Sequence, residues 1–152
     1  MPIARDEAWR FFSNPRNLAR ITPPDMRFTI TSACPDEVYP GLIITYRVRP
    51  LFNIPVGWVT EITHVLARER FVDEQRAGPY AMWHHEHHFR DVDGGTEMRD
   101  IVHYAVPGGP LGDVIDRRLV RRRLAEIFAY RRHVIERLFN QHAHEPSRAA
   151  SA

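Results

Sequence analysis

The sequence contains no lysine: its 21 basic residues other than histidine are all arginine, and 19 acids leave a net charge of only +2. So small an excess, despite a sequence pI near 9.0, does not by itself imply a nucleic-acid partner. Cysteine is almost absent too. Cys34 stands alone, which excludes an intramolecular disulfide and fits a reducing compartment. Unbroken apolar runs extend for only a few residues, and the N-terminus lacks the apolar core of a signal peptide, so neither a membrane span nor export is indicated and a cytoplasmic location is expected. There is no internal repeat, nucleophile motif, phosphate loop or dinucleotide fingerprint.

What is present is a chain of 152 residues with 43% hydrophobic content, enough to bury one sizeable core and too little for two. One domain is expected over 1–139, with a small polar tail over 140–152 that reads as disordered. "RDEAWRFF" has acids in its first turn and apolar Ala8, Trp9 and Phe12, an amphipathic helix ending at "SNP". Asn14 with Pro15 then opens a second short helix, "PRNLARI", stopped by Pro23 and Pro24. From Phe28 to Val106, short β-rich runs punctuated by proline and glycine read as an antiparallel meander. After "PGGPLG" comes a long helix. Its apolar stripe runs through Val120, Leu124, Ile127, Phe128, Val134, Ile135 and Leu138, enough to cover a sheet face.

Four histidines around one glutamate, in "YAMWHHEHHF", raise the question of a metal site. Strand alternation divides them: Trp83, His85, His87 and Phe89 share one face, while His84, Glu86 and His88 share the other. In the next strand, Met98, Asp100, Val102 and Tyr104 share a face. The "DVDGG" turn predicts a register in which paired numbers sum to 187, placing His87 opposite Asp100 and Trp83 opposite Tyr104. The two inner faces then coincide, and "HHEHH" cannot act as one cluster. His87 and Asp100 are close enough to hydrogen-bond, biasing the imidazole tautomer or raising its pKa. Asp73 and Gln75 share a face with Phe71; the "AGP" turn permits two registers of opposite parity, and the inward one is expected. Arg131 lies inside the apolar stripe of the long helix. It either pairs with Asp100 or Asp73 or follows the apolar face outward to solvent.

The segments "FFSNPRNLARITPPDM", "FVDEQRAGPYAMWHHEHHF" and "PGGPLG" with "RRRLAEIFAYRR" resemble a bacterial branch of the helix-grip superfamily (SRPBCC), which includes START domains, the major birch pollen allergen and aromatic polyketide cyclases. The likeness covers about residues 3–139. It implies an α+β fold: a curved antiparallel sheet gripping a long C-terminal helix, two short helices closing one end, and an apolar cavity between. The branch's "GPY, W-x-H-x-H-x-F" pattern falls on Gly78, Pro79, Tyr80, Trp83, His85, His87 and Phe89. The chain departs from the pattern at its start, where "MPIARDEAW" leaves almost no room for the usual first strand. That strand is expected to be missing or truncated, leaving an open edge through which a homodimer can pair.

These features predict a protein that binds a small hydrophobic or amphipathic ligand, with Trp83, His85, His87, Phe89, Met98, Asp100, Tyr104, Asp73 and Arg131 as ligand-binding residues. No cofactor and no metal are expected, although two imidazoles and a carboxylate on neighbouring strands are compatible with zinc or non-haem iron. The alternative is a cyclase, dehydratase or isomerase in which His87, set by Asp100, transfers a proton. A third class, an interaction role in cell division, comes from some relatives and has no support in these residues. The arginine-rich helix face lacks interleaved aromatic residues and reads as a solvated surface, so neither nucleic acid nor membrane is expected as a partner.

Overall fold

The computed structural model describes residues 1–140. Helix α1 (Arg5–Phe12) carries Asp6 and Glu7 against the positive end of its dipole and buries Ala8 and Trp9. Asn14 caps the next segment, its side chain accepting from the Arg16 backbone N–H at 3.0 Å. That segment, Pro15–Ile21, is a 3₁₀ helix rather than an α-helix. At seven residues it is long for 3₁₀ geometry, and the Pro23–Pro24 stop leaves it no room to extend. A second 3₁₀ turn spans Pro24–Met26.

Six strands follow, β1 (Thr29–Ile30), β2 (Leu42–Val48), β3 (Val56–Leu66), β4 (Arg70–Ala77), β5 (Met82–Val92) and β6 (Gly95–Ala105), all antiparallel and in sequence order across one open sheet. The first of the expected β-rich runs, beginning at Phe28, shrinks to the two residues of β1 because the chain leaves the ladder early. The Ser32 hydroxyl accepts the Thr45 N–H at 3.1 Å, taking the place of a backbone partner. Strand β3 shifts register against β4 between Val59 and Thr60 and again between Ile62 and His64. Such bulges bend and twist the strand and so curve the sheet.

The β5–β6 register is the expected one, with His87 opposite Asp100 and Trp83 opposite Tyr104. No strand precedes α1 among the described residues. Instead Met1 forms a reciprocal backbone pair with Thr96, both bonds 2.9 Å long, and the Thr96 hydroxyl donates to the Ile3 carbonyl at 2.8 Å. Beyond this short contact β6 is the outer strand of the sheet.

After Pro107 the chain is helical almost without interruption: α2 (Gly109–Ile115), a π-helical turn over Asp116–Val120, and α3 (Arg121–Asn140). The expected tail lies, Asn140 apart, outside the described residues. One apolar cluster joins α1 and the end of α3 to the sheet through Trp9, Phe71, Phe89 and Phe139; a second joins Met26 and Val48 to Ile127. The concave face between these clusters is left for a cavity.

Candidate functional site: a cavity with a histidine–aspartate wall

A cavity of about 170 Å³ lies between the curved sheet and α3. Its walls are mostly apolar and aromatic: Phe11, Ile21, Tyr46, Trp58, Trp83 and Phe128 represent the N-terminal helices, the sheet and the long helix. Alternation along β5 turns Trp83, His85 and His87 inward, and all three are buried. His84 and His88 face outward and pair there with Glu74 and Glu86, at 2.9 and 2.8 Å. The five-residue histidine run is therefore divided between two faces.

The inward histidines meet two carboxylates. His85 Nε2 hydrogen-bonds to Asp100 Oδ1 at 3.0 Å, and His87 Nε2 to Asp73 Oδ2 at 2.9 Å. The remaining nitrogens close a ring of charge: His85 Nδ1 lies 3.2 Å from Asp73 and His87 Nδ1 2.9 Å from Asp100. The second of these approaches is poorly directed, and His87 Nδ1 has no hydrogen-bond partner despite the short distance. Trp83 Nε1 donates to the other oxygen of Asp73 at 3.2 Å.

Burial pushes both carboxyls up, but the hydrogen bonds and charge of the two imidazoles outweigh it and hold Asp73 and Asp100 well below the usual carboxylate range. Burial acts to lower the His85 pKa, and Asp73 with Asp100 overcomes it, so the net shift is upward. Nearby, burial first and then the Asp73 charge raise the pKa of the Tyr46 hydroxyl. Burial, with smaller contributions from Tyr104 and Asp116, pushes Tyr80 up to about 12.

Asp73, His85 and His87 are the described residues that could hold a metal ion, since one ligand atom from each lies within 4.8 Å of the others. An ion there has to displace imidazole–carboxylate contacts already made.

Of the predicted ligand residues, Asp73, Trp83, His85, His87, Met98 and Arg131 line the cavity. Three do not. Phe89 is committed to the core, with ring centroids 5.7 Å from those of Trp9 and Phe12. Tyr104 turns to the helical segment and donates to Asp116 at 2.7 Å. Asp100 sits behind the histidines and reaches the cavity only through them. Arg131 also departs from expectation, because it forms no ion pair with Asp73, Asp100 or any other acid among the described residues. Its guanidinium lies over the Phe128 ring, 5.1 Å from the centroid, and its Nε has no partner. Burial lowers its pKa against the opposing influence of Asp100 and Asp73.

Sequence reasoning missed Trp58 and Thr60, inward on β3. The alternation of Trp58, Thr60 and Ile62 was the available signal.

The arrangement has clear structural counterparts. The chain is similar to protein Ms6760 from Mycobacterium smegmatis, with a TM-score of 0.67, 19% identity, and coverage of 93% of this chain and 87% of that one. The Thermus thermophilus protein TTHA0849 gives 0.63, 15% identity, and 90% of each chain. Ara h 8.0201, a helix-grip protein, gives 0.57, 12% identity, and coverage of 89% and 92%. No family model and no curated protein matches the sequence. The protein therefore has an α+β helix-grip fold, a curved antiparallel sheet around a long C-terminal helix.

Proposed function

We propose that the protein binds a small, mostly apolar molecule carrying a polar or ionisable group. The observation that carries this reading is the cavity itself: an apolar, aromatic space into which a few charged or ionisable groups, Asp73, His85, His87 and Arg131, are set. Ligand sites commonly combine an apolar surround with a few convergent polar groups. An apolar cavity of about 150 Å³ is known to admit a single aromatic ring, so the space here suits a molecule of one or two rings or a short chain. The reading agrees with the hydrophobic-ligand binding that the helix-grip resemblance implies.

Calorimetric titration with two small probes, 2-naphthamide and 2-naphthoate, tests it. At least one should bind at a single saturable site, and Leu124→Trp, which fills the cavity from α3, should abolish that binding. Absence of saturable binding by both, or binding indifferent to Leu124→Trp, contradicts the proposal.

A second reading is favoured by one detail. His87, which lines the cavity, is held at Nε2 by Asp73, the carboxylate–imidazole arrangement that orients a proton-transferring group. On this reading the protein is a cyclase, dehydratase or isomerase, and His87→Ala should abolish turnover while leaving probe binding in place.

A further inference from the structure

Five buried side-chain atoms in the described residues lack a hydrogen-bond partner: Ser13 Oγ, Trp58 Nε1, Thr60 Oγ1, His87 Nδ1 and Arg131 Nε. Four of the five belong to residues that line this cavity, Ser13 being the exception. Buried polar groups in folded proteins are almost always partnered, so a concentration of orphans around one space marks a place where partners are supplied from outside the chain.

The chemistry of two of these orphans, Trp58 Nε1 and Arg131 Nε, is one-sided. Indole Nε1–H and guanidinium Nε–H can only donate, and a threonine hydroxyl can donate as readily as accept. The carboxylates nearby are already engaged. Asp73 receives Trp83 on one oxygen and His87 on the other, and Asp100 receives His85. Arg131 is thus a half-buried cation, its Nε buried and its guanidinium set over the Phe128 ring, with no acid paired to it among the described residues. A cation in this position is costly unless an anion joins it.

We infer that the molecule bound here is an amphipathic carboxylate, with an aromatic or short aliphatic body in the apolar cavity and its carboxylate received by Arg131, Trp58 and Thr60. This rests on the cavity-binding reading above and goes beyond it by fixing the charge and donor–acceptor character of the ligand. Arginine matches a carboxylate in geometry as well as charge, through paired N–H donors. Trp58 and Thr60 approach from β3 and Arg131 from α3, so the head group bridges the sheet and the helix that grips against it. The Asp73 carboxylate lines the same cavity and disfavours an anion placed against it. The head group therefore belongs against the Arg131 guanidinium rather than against Asp73.

The acid and its amide are near-isosteres differing in charge, so the same two probes separate this inference from its foundation. At pH 7 the wild type should bind 2-naphthoate at least tenfold more tightly than 2-naphthamide. Arg131→Met should remove that preference while leaving amide binding within about twofold, and Trp58→Phe should weaken the acid several-fold. Arg132→Met, on the exposed face of α3, should change neither affinity. The urea midpoint of Arg131→Met without ligand should equal or exceed that of the wild type, because the substitution removes a half-buried charge that no acid pairs. Equal or tighter binding of the amide, or an acid preference that survives in Arg131→Met, overturns the inference and leaves cavity binding standing. A markedly lower midpoint overturns it as well, by showing that the guanidinium already has its partner within the chain. If neither probe binds, the cavity reading fails and this inference fails with it.

Discussion

Asp73 is the residue on which most of the polar wall converges, accepting from Trp83 and His87 and touching His85. Asp73→Asn leaves the imidazoles with one carboxylate between them, and a loss of about 3 to 5 kcal/mol in urea unfolding is expected, as for a broken buried pair. The same groups set a pH window. Asp73 and Asp100 are shifted down, so their contribution is in place above about pH 3.9 and is lost as the pH falls below it. His85, facing Asp73, Asp100, His87 and the more distant Arg131, is shifted up; its contribution is complete below about pH 6.5 and is lost as the pH rises past that value. The urea midpoint should peak between these limits, and His85→Gln should abolish the alkaline decline. A midpoint that climbs from about pH 6.5 to 8 contradicts the ring of charge. Metal binding requires a neutral His85 imidazole, which Asp73 and Asp100 oppose, so elemental analysis after dialysis should find well under one equivalent of zinc or iron. A full equivalent lost in His85→Ala contradicts that. Alternation made the inward pair, His85 and His87, legible in the sequence. The Arg131 contact was not legible, because a residue's place on a helical stripe does not say which way a long side chain turns at its end.

Among the elements, β5 and β6 were the most legible, since a tight turn and two matching faces fix a register between them. Strand β3 was less so. Trp58, Thr60 and Ile62 keep the two-residue period, but the strand's register shifts against β4 leave no matched partner face to say which side turns inward. The N-terminal contact was legible only as a missing strand, whereas in the structure Met1 and Ile3 clasp Thr96. Gly95 makes this clasp possible: its φ is +148°, and a Cβ there would collide with the Met1 carbonyl oxygen. Gly95→Ala should therefore cost about 1 to 3 kcal/mol and free the Met1–Thr96 pair, visible as faster amide exchange at Thr96. Unchanged exchange and stability would show that the clasp contributes nothing.

The whole-molecule layout followed from sequence order, a meander and then one long amphipathic helix. The cavity did not, because its volume is the small difference between the sheet's curvature and the bulk of the side chains that fill it. The tryptophans offer a direct view of that space. Trp58 and Trp83 line the cavity, whereas Trp9 lies in the core between α1 and the sheet, with its indole donating to Glu37 at 2.6 Å. In a ¹H–¹⁵N correlation spectrum the three indole N–H signals report on these sites separately. On addition of 2-naphthoate or 2-naphthamide, the Trp58 and Trp83 signals should shift progressively to saturation while that of Trp9 stays within a small fraction of their change. Three unmoved indoles, or a shift confined to Trp9, would contradict the claim that this cavity is where the protein binds its ligand.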